Sequence, residues 1–276
     1  MIGKVALDLL QQALSRKWFL GLGIAITLGL AGIGLSLRMD VVDGALAGTR
    51  FFGQVVSRDI VSAEVALRPV FVVATYLVFY GFSGFMILAC ADFAPALLSP
   101  GRIEHTLALP IRRFELLTGT YLGVVSLAFV ATLYAAGGLC LLLGLKTGVW
   151  SFWPVLGGLF TGLGFAAVYA AMLLAALLVR SAALSAAAGA VLFAAGIVAG
   201  NREAIMPAMD PGIGRALTGA VTAVLPRLSG LPALAASFSR GESASVAAVA
   251  PLLGGVTLFA LGMLLVGVWL FEQKDY

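Results

Sequence analysis

Polar positions are scarce along this chain, and where they fall divides it. Six apolar stretches contain no Asp, Glu, Lys, Arg or His: Trp18–Leu37, Pro69–Ala91, Leu116–Leu145, Phe152–Val179, Ala182–Gly200 and Ala248–Phe271. A helix needs about 20 apolar residues, at ~1.5 Å each, to cross a bilayer, and each stretch is close to or above that length. The fifth is the shortest and is built mostly of Ala and Gly, which leaves a tilted or re-entrant path open. Residues 1–17 have a different pattern. Ile2, Val5, Ala6, Leu9 and Ala13 share one helical face, while Lys4, Asp8, Gln11, Gln12 and Ser15 lie toward the other. This predicts an amphipathic helix lying in the interface before the chain turns inward at Trp18.

Two long connections also carry helical spacing. In residues 38–68, Phe52, Val55, Val56, Ile60, Ala63 and Leu67 recur at that period, and Glu64 precedes Arg68 by one turn. In the Pro- and Gly-rich residues 201–247, Ile213, Leu217, Val221 and Val224 mark a short amphipathic helix stopped by Pro226. The expected fold class is an all-α integral membrane protein of six transmembrane helices. An N-terminal interfacial helix precedes them, and a further short helix lies within residues 92–115. Trp18, Trp150, Trp153 and Trp269 all fall at predicted span ends, where amphipathic rings settle at the headgroup level.

Composition agrees with the pattern. The chain is 61% hydrophobic and 11% charged, against about 25% charged in soluble domains, so lipid is its solvent. The net charge of +4 comes without a basic block, which argues against nucleic acid as a partner. Cys90 and Cys140 lie in apolar runs and read as small hydrophobes. Six spans put both termini on one side of the membrane. The 17 Lys and Arg divide almost evenly between the two sides, but the segments on the side of the termini are much shorter. Density near the span ends therefore favours cytoplasmic termini.

Several chemistries lack their residues. Spans free of ionisable groups disfavour an ion-coupled transporter, which binds its driving ion near the midplane. That reading, or a channel working alone, stays open as the alternative because backbone carbonyls can replace such groups. No phosphate-binding G-x-x-x-x-G-K-[ST] loop is present, and His105 is the sole histidine, so no Ser/His/Asp set forms. The run Asp40–Arg50 starts like the aspartate motif of membrane phosphatidyltransferases. Gly48, Val61 and Val65 stand where its arginine and later aspartates belong, and metal-assisted chemistry needs the full set. The pairs Gly119/Gly123, Gly158/Gly162 and Gly196/Gly200 suit close helix packing, and with 34 glycines they imply nothing more.

The densest ionisable cluster is Arg102, Glu104, His105, Arg112, Arg113 and Glu115, between the second and third spans. Pro95 and Pro100 break the chain after the second span. Ser99 suits a helix N-cap and Pro100 the first helical position. A short helix then runs to about Leu109, before Pro110. The charges of the segment balance, Arg102, Arg112 and Arg113 against Asp92, Glu104 and Glu115, which suits docking to a protein surface better than an anionic lipid.

The run Arg102–Gly123 resembles the segment joining the second and third spans of ABC-2-type transporter permeases. Glu104, Thr106, Leu107, Pro110, Ile111 and Arg113 match that family's pattern. His105, Arg112 and Thr120 stand where the family usually has Gly, Ser and Lys. The N-terminal segment resembles the family's elbow helix, and Phe271–Tyr276 its charged tail. The resemblance implies a permease subunit in the bacterial inner membrane with both termini cytoplasmic, paired with a second copy or homologue. Each permease would dock a separate cytoplasmic ATPase, two copies in all, and ATP and Mg would bind there rather than to this chain. It further implies that Arg102, Ile103, Glu104, His105, Thr106, Leu107, Arg112 and Arg113 form the ATPase-docking surface. Lys4, Asp8, Arg16 and Lys17 would belong to the elbow, and the outer segments would meet an outside partner. This chain would itself be no enzyme.

Overall fold

A computed structural model describes residues 2–15, 17–42, 45–51, 54–57, 61–99, 101 and 111–274. Helix α1 (Ile2–Ser15) is followed by α2 (Lys17–Ser36), and the two are bent by 68°. The second apolar stretch lies in one helical run built of several segments. It comprises α3 (Ala63–Leu77), a π-helical turn at Val78–Phe82, α4 (Ser83–Cys90) and α5 (Phe93–Leu97). Then come α6 (Arg113–Thr147), α7 (Trp153–Val179), α8 (Ala182–Gly200), the short α9 (Arg202–Ile205), α10 (Ile213–Val224), α11 (Gly230–Ser239) and α12 (Val246–Gln273). Five helical stretches are long and apolar enough to cross a membrane: Leu67–Leu97, α6, α7, α8 and α12. The α1–α2 pair adds a sixth if it counts as one span. The protein is thus a helical, multi-pass membrane protein.

Two expectations need correction. Where an amphipathic helix is predicted across Phe52–Leu67, Phe52 and Ile60 lie outside the described residues, the described residues Gln54–Ser57 and Val61–Ser62 are strands, and the helix starts at Ala63. Before it, β1 (Leu37–Val42), β2 (Ala45–Phe51), β3 (Gln54–Ser57) and β4 (Val61–Ser62) form an antiparallel sheet in which β2 pairs with each of the others. Val, Thr and Phe favour strands, and Asp43-Gly44 is a hairpin signal in the sequence. Second, Pro95 does not break the chain. It lies inside α5, in the first turn, where its missing N–H costs no hydrogen bond.

Contacts along α6 fix helix directions. Thr27 and Tyr134 share a hydrogen bond of 2.9 Å, Leu30 meets Gly138 and Leu142 meets Gly34, so α2 runs parallel to α6. On α7, Gly158 abuts Thr132 and Gly162 abuts Phe129, while Tyr169 stacks on Tyr121 at 6.2 Å, so α7 runs antiparallel to α6. Gly189 of α8 packs on Met172, and Gly267 of α12 lies near Leu177. The alternation places both termini at one end of the bundle.

The core centres on α7, where Phe165, Val168, Tyr169, Met172 and Leu177 are buried. At the end away from the termini, α11 folds back into the bundle. Leu228 and Leu231 are fully buried, with Leu231 near Gly164 and Leu228 over Gly196. The Leu228 N–H donates to the Gly196 carbonyl at 3.0 Å, and Ser229 Oγ donates to the Ile197 carbonyl at 3.1 Å.

Candidate functional site

The expected docking segment leaves the bundle at the end that carries both termini. Arg102, Ile103, Glu104, His105, Thr106 and Leu107 lie outside the described residues, as does Arg16 of the elbow. The segment's two roots are described. On the upstream side, Phe93 and Ala94 are buried, and Phe93 meets Phe19 of α2 at 6.1 Å. Ser99, expected as an N-cap, donates from Oγ to the Ala96 carbonyl at 2.9 Å, a bond that serves the preceding helix.

On the downstream side, Arg112 is the residue before α6, with extended backbone. Its N–H donates to Glu115 Oε2 at 3.1 Å, so a carboxylate satisfies a donor at a helix N-terminus. Arg112 and Arg113 line an open cleft of about 670 Å³ with Ile111, Phe114 and Glu272. Arg113 has a second role that the sequence did not reveal. Its Nη1 donates to the carbonyls of Phe271, Glu272 and Lys274 at 3.5, 3.2 and 2.6 Å. These carbonyls end α12, where the helix leaves acceptors unsatisfied and attracts a cation. Lys274 Nζ in turn donates to the Leu177 carbonyl at 2.6 Å, in the last turn of α7. The start of α6 and the ends of α7 and α12 are therefore cross-braced by two cations.

The elbow helix closes this end. Its apolar face, Ile2, Val5, Ala6, Leu9 and Ala13, is the face turned inward, and Lys4 and Asp8 are exposed. The pair Gly119/Gly123 makes the seat. A Cβ on Gly119 would fall 2.7 Å from Val5 Cβ, and one on Gly123 3.2 Å from Ala6 Cα. Lys17 is exposed and edges a shallow apolar cleft formed with Gly21, Leu22, Ala25 and Phe85.

Between the helices, Tyr169 Oη and Ser83 Oγ are buried with no hydrogen-bond partner. Among the described residues no three His, Cys, Asp or Glu come together as a metal site, and Cys90 and Cys140 are both buried and not joined in a disulfide. No protein-family model matches the chain, and no curated protein matches it.

Proposed function

We propose that this chain is the membrane subunit of an ABC-2-type transporter, which takes its energy from a separate cytoplasmic ATPase. The reading rests on the resemblance of Arg102–Gly123 to the docking segment of such permeases. One structural observation supports it most. The segment is rooted where the elbow helix, the start of α6 and the ends of α7 and α12 are tied together by Gly119, Gly123, Arg113 and Lys274. A push on a short helix at that root reaches three spans through fixed contacts, as a lever requires. In this reading the braced end faces the cytoplasm of a bacterium, a second permease pairs with the first, and each docks one ATPase that holds ATP and Mg.

Arg113 then serves the brace, and Glu104 is the cleaner probe of docking. Glu104→Ala should weaken co-purification of the ATPase by tenfold or more, since a charge-assisted contact contributes about 1.5–3 kcal/mol. Unchanged ATPase recovery and unchanged coupled ATP hydrolysis would count against the assignment. The rival reading is a transporter working alone, for which the hydroxyls of Tyr169 and Ser83 offer buried polar side-chain atoms without a hydrogen-bond partner inside the described spans. Solute uptake into liposomes by the ATPase-free chain would favour it.

A further inference from the structure

At the end of the bundle away from the termini, a cleft of about 700 Å³ opens beside the α6–α7 connection. Its wall includes Arg68 of α3, Trp150, Ser151 and Phe152 of the connection, and Trp153 and Leu156 of α7. The apolar part is held in place but left uncovered. Trp150 lies against Gly144, where a Cβ would fall 2.7 Å from the indole, and Trp153 stacks on Phe238 of α11 at 5.7 Å. Even so, Trp150, Phe152 and Trp153 remain 56%, 77% and 41% exposed.

The polar part is also built. Gly241, with φ at +81°, follows α11, and a Cβ there would fall 3.2 Å from Arg68 Nη2. The missing side chain makes room for the guanidinium, whose five N–H donors allow several partners at once. Ser151 Oγ, on the same wall, is buried and has no hydrogen-bond partner. An aromatic belt at the membrane surface explains exposed Trp and Phe. It does not call for an unpartnered buried hydroxyl and an arginine in one concavity, which together are the few convergent polar groups of a ligand site.

We propose that this cleft binds an amphipathic anion. Its carboxylate or phosphate would meet Arg68 and Ser151, and its alkyl or aryl part would lie on Trp150, Phe152 and Trp153. A membrane lipid headgroup and a free amphiphile offer the same chemistry. The inference stands apart from ATPase docking, because binding is measured on this chain alone.

The test uses the full chain with Trp18→Phe and Trp269→Phe, reconstituted in phosphatidylcholine nanodiscs, so that Trp150 and Trp153 report. Bromine quenches a nearby indole, and the probes are bromododecanoate and the neutral bromododecanol. The acid should quench saturably and the alcohol only in proportion to its partitioning. Arg68→Gln should weaken acid binding by about tenfold, as a lost charge-assisted hydrogen bond does, and Ser151→Ala by about threefold, at the low end for a single hydrogen bond. Should Arg68→Gln fail to fold, Ser151→Ala and Leu159→Phe, which narrows the cleft, carry the same test. Equal quenching by acid and alcohol, or unchanged acid affinity in the folded variants, would overturn the proposal. Brominated phosphatidylglycerol placed in the disc separates the sources. Quenching above its share of the lipid identifies a headgroup site. Quenching in proportion to its share, alongside saturable acid binding, identifies a free amphiphile.

Discussion

Single residues in this protein matter mainly through the space they leave or the carbonyls they reach. Gly119 is the clearest case of the first kind, because Val5 occupies the position its Cβ would take. Gly119→Val should cost about 1–3 kcal/mol by overpacking. It should also speed hydrogen exchange across residues 2–15 while leaving α7 protected, and unchanged exchange in α1 would show that the seat is not needed. Arg113 is the second kind. Arg113→Gln removes a cation from a helix end and should cost about 1–2 kcal/mol. Faster exchange confined to residues 271–274 and the last turn of α7 would mark it as the brace. Lost ATPase binding without that fraying would return it to the docking surface. The apolar face of α1 was legible from the spacing of Ile2, Val5, Ala6, Leu9 and Ala13. The brace was not, because Arg113 and Phe271 are 158 positions apart and no local pattern links them.

Among the elements, long apolar helices were the most legible. The predicted stretch Phe152–Val179 and the observed α7 differ by one residue at one end, and Ala182–Gly200 coincides with α8. Between them, Arg180 ends α7 in left-handed backbone at φ +53°, and Ser181 Oγ accepts from the Leu184 N–H at 3.4 Å to start α8. The helix at Ile213–Val224, stopped before Pro226, also matches its prediction. The strand Gln54–Ser57 was not legible because Val55 and Val56 also satisfy a helical count over a short window, and the period alone cannot separate the two. Helix α11 was missed for another reason. A Gly/Pro-rich connection suggests segments lying on or dipping into the outer leaflet, whereas here Leu231 and Ala235 of α11, and Leu228 just before it, are buried in the bundle.

For the whole molecule, the decisive property is the direction in which each helix runs. The parallel course of α2 and α6, with α7 antiparallel, places residue 2 beside Gly119 and Lys274 beside Arg113 at one end. Single cysteines introduced at Gln11 and Glu272, in a chain with Cys90 and Cys140 replaced, should therefore react with a membrane-impermeant reagent from the same side. A cysteine at Glu242 should react only from the other. Labelling of Gln11 and Glu272 from opposite sides would mean that α2 does not cross, leaving five spans.

The sequence by itself determined that lipid is the solvent, where the long helices lie and which face of α1 is apolar. These follow from composition and from periods no longer than a few turns, which any local window contains. Only the tertiary structure decided that Gly119 and Gly123 seat the elbow helix, that Arg113 and Lys274 brace three helix ends, and that Arg68 and Ser151 share a cleft with Trp150 and Trp153. Each of these joins residues far apart in the chain. Their meeting depends on how helices of nearly uniform hydrophobicity choose neighbours, and small residues and a few polar side chains make that choice by close approach.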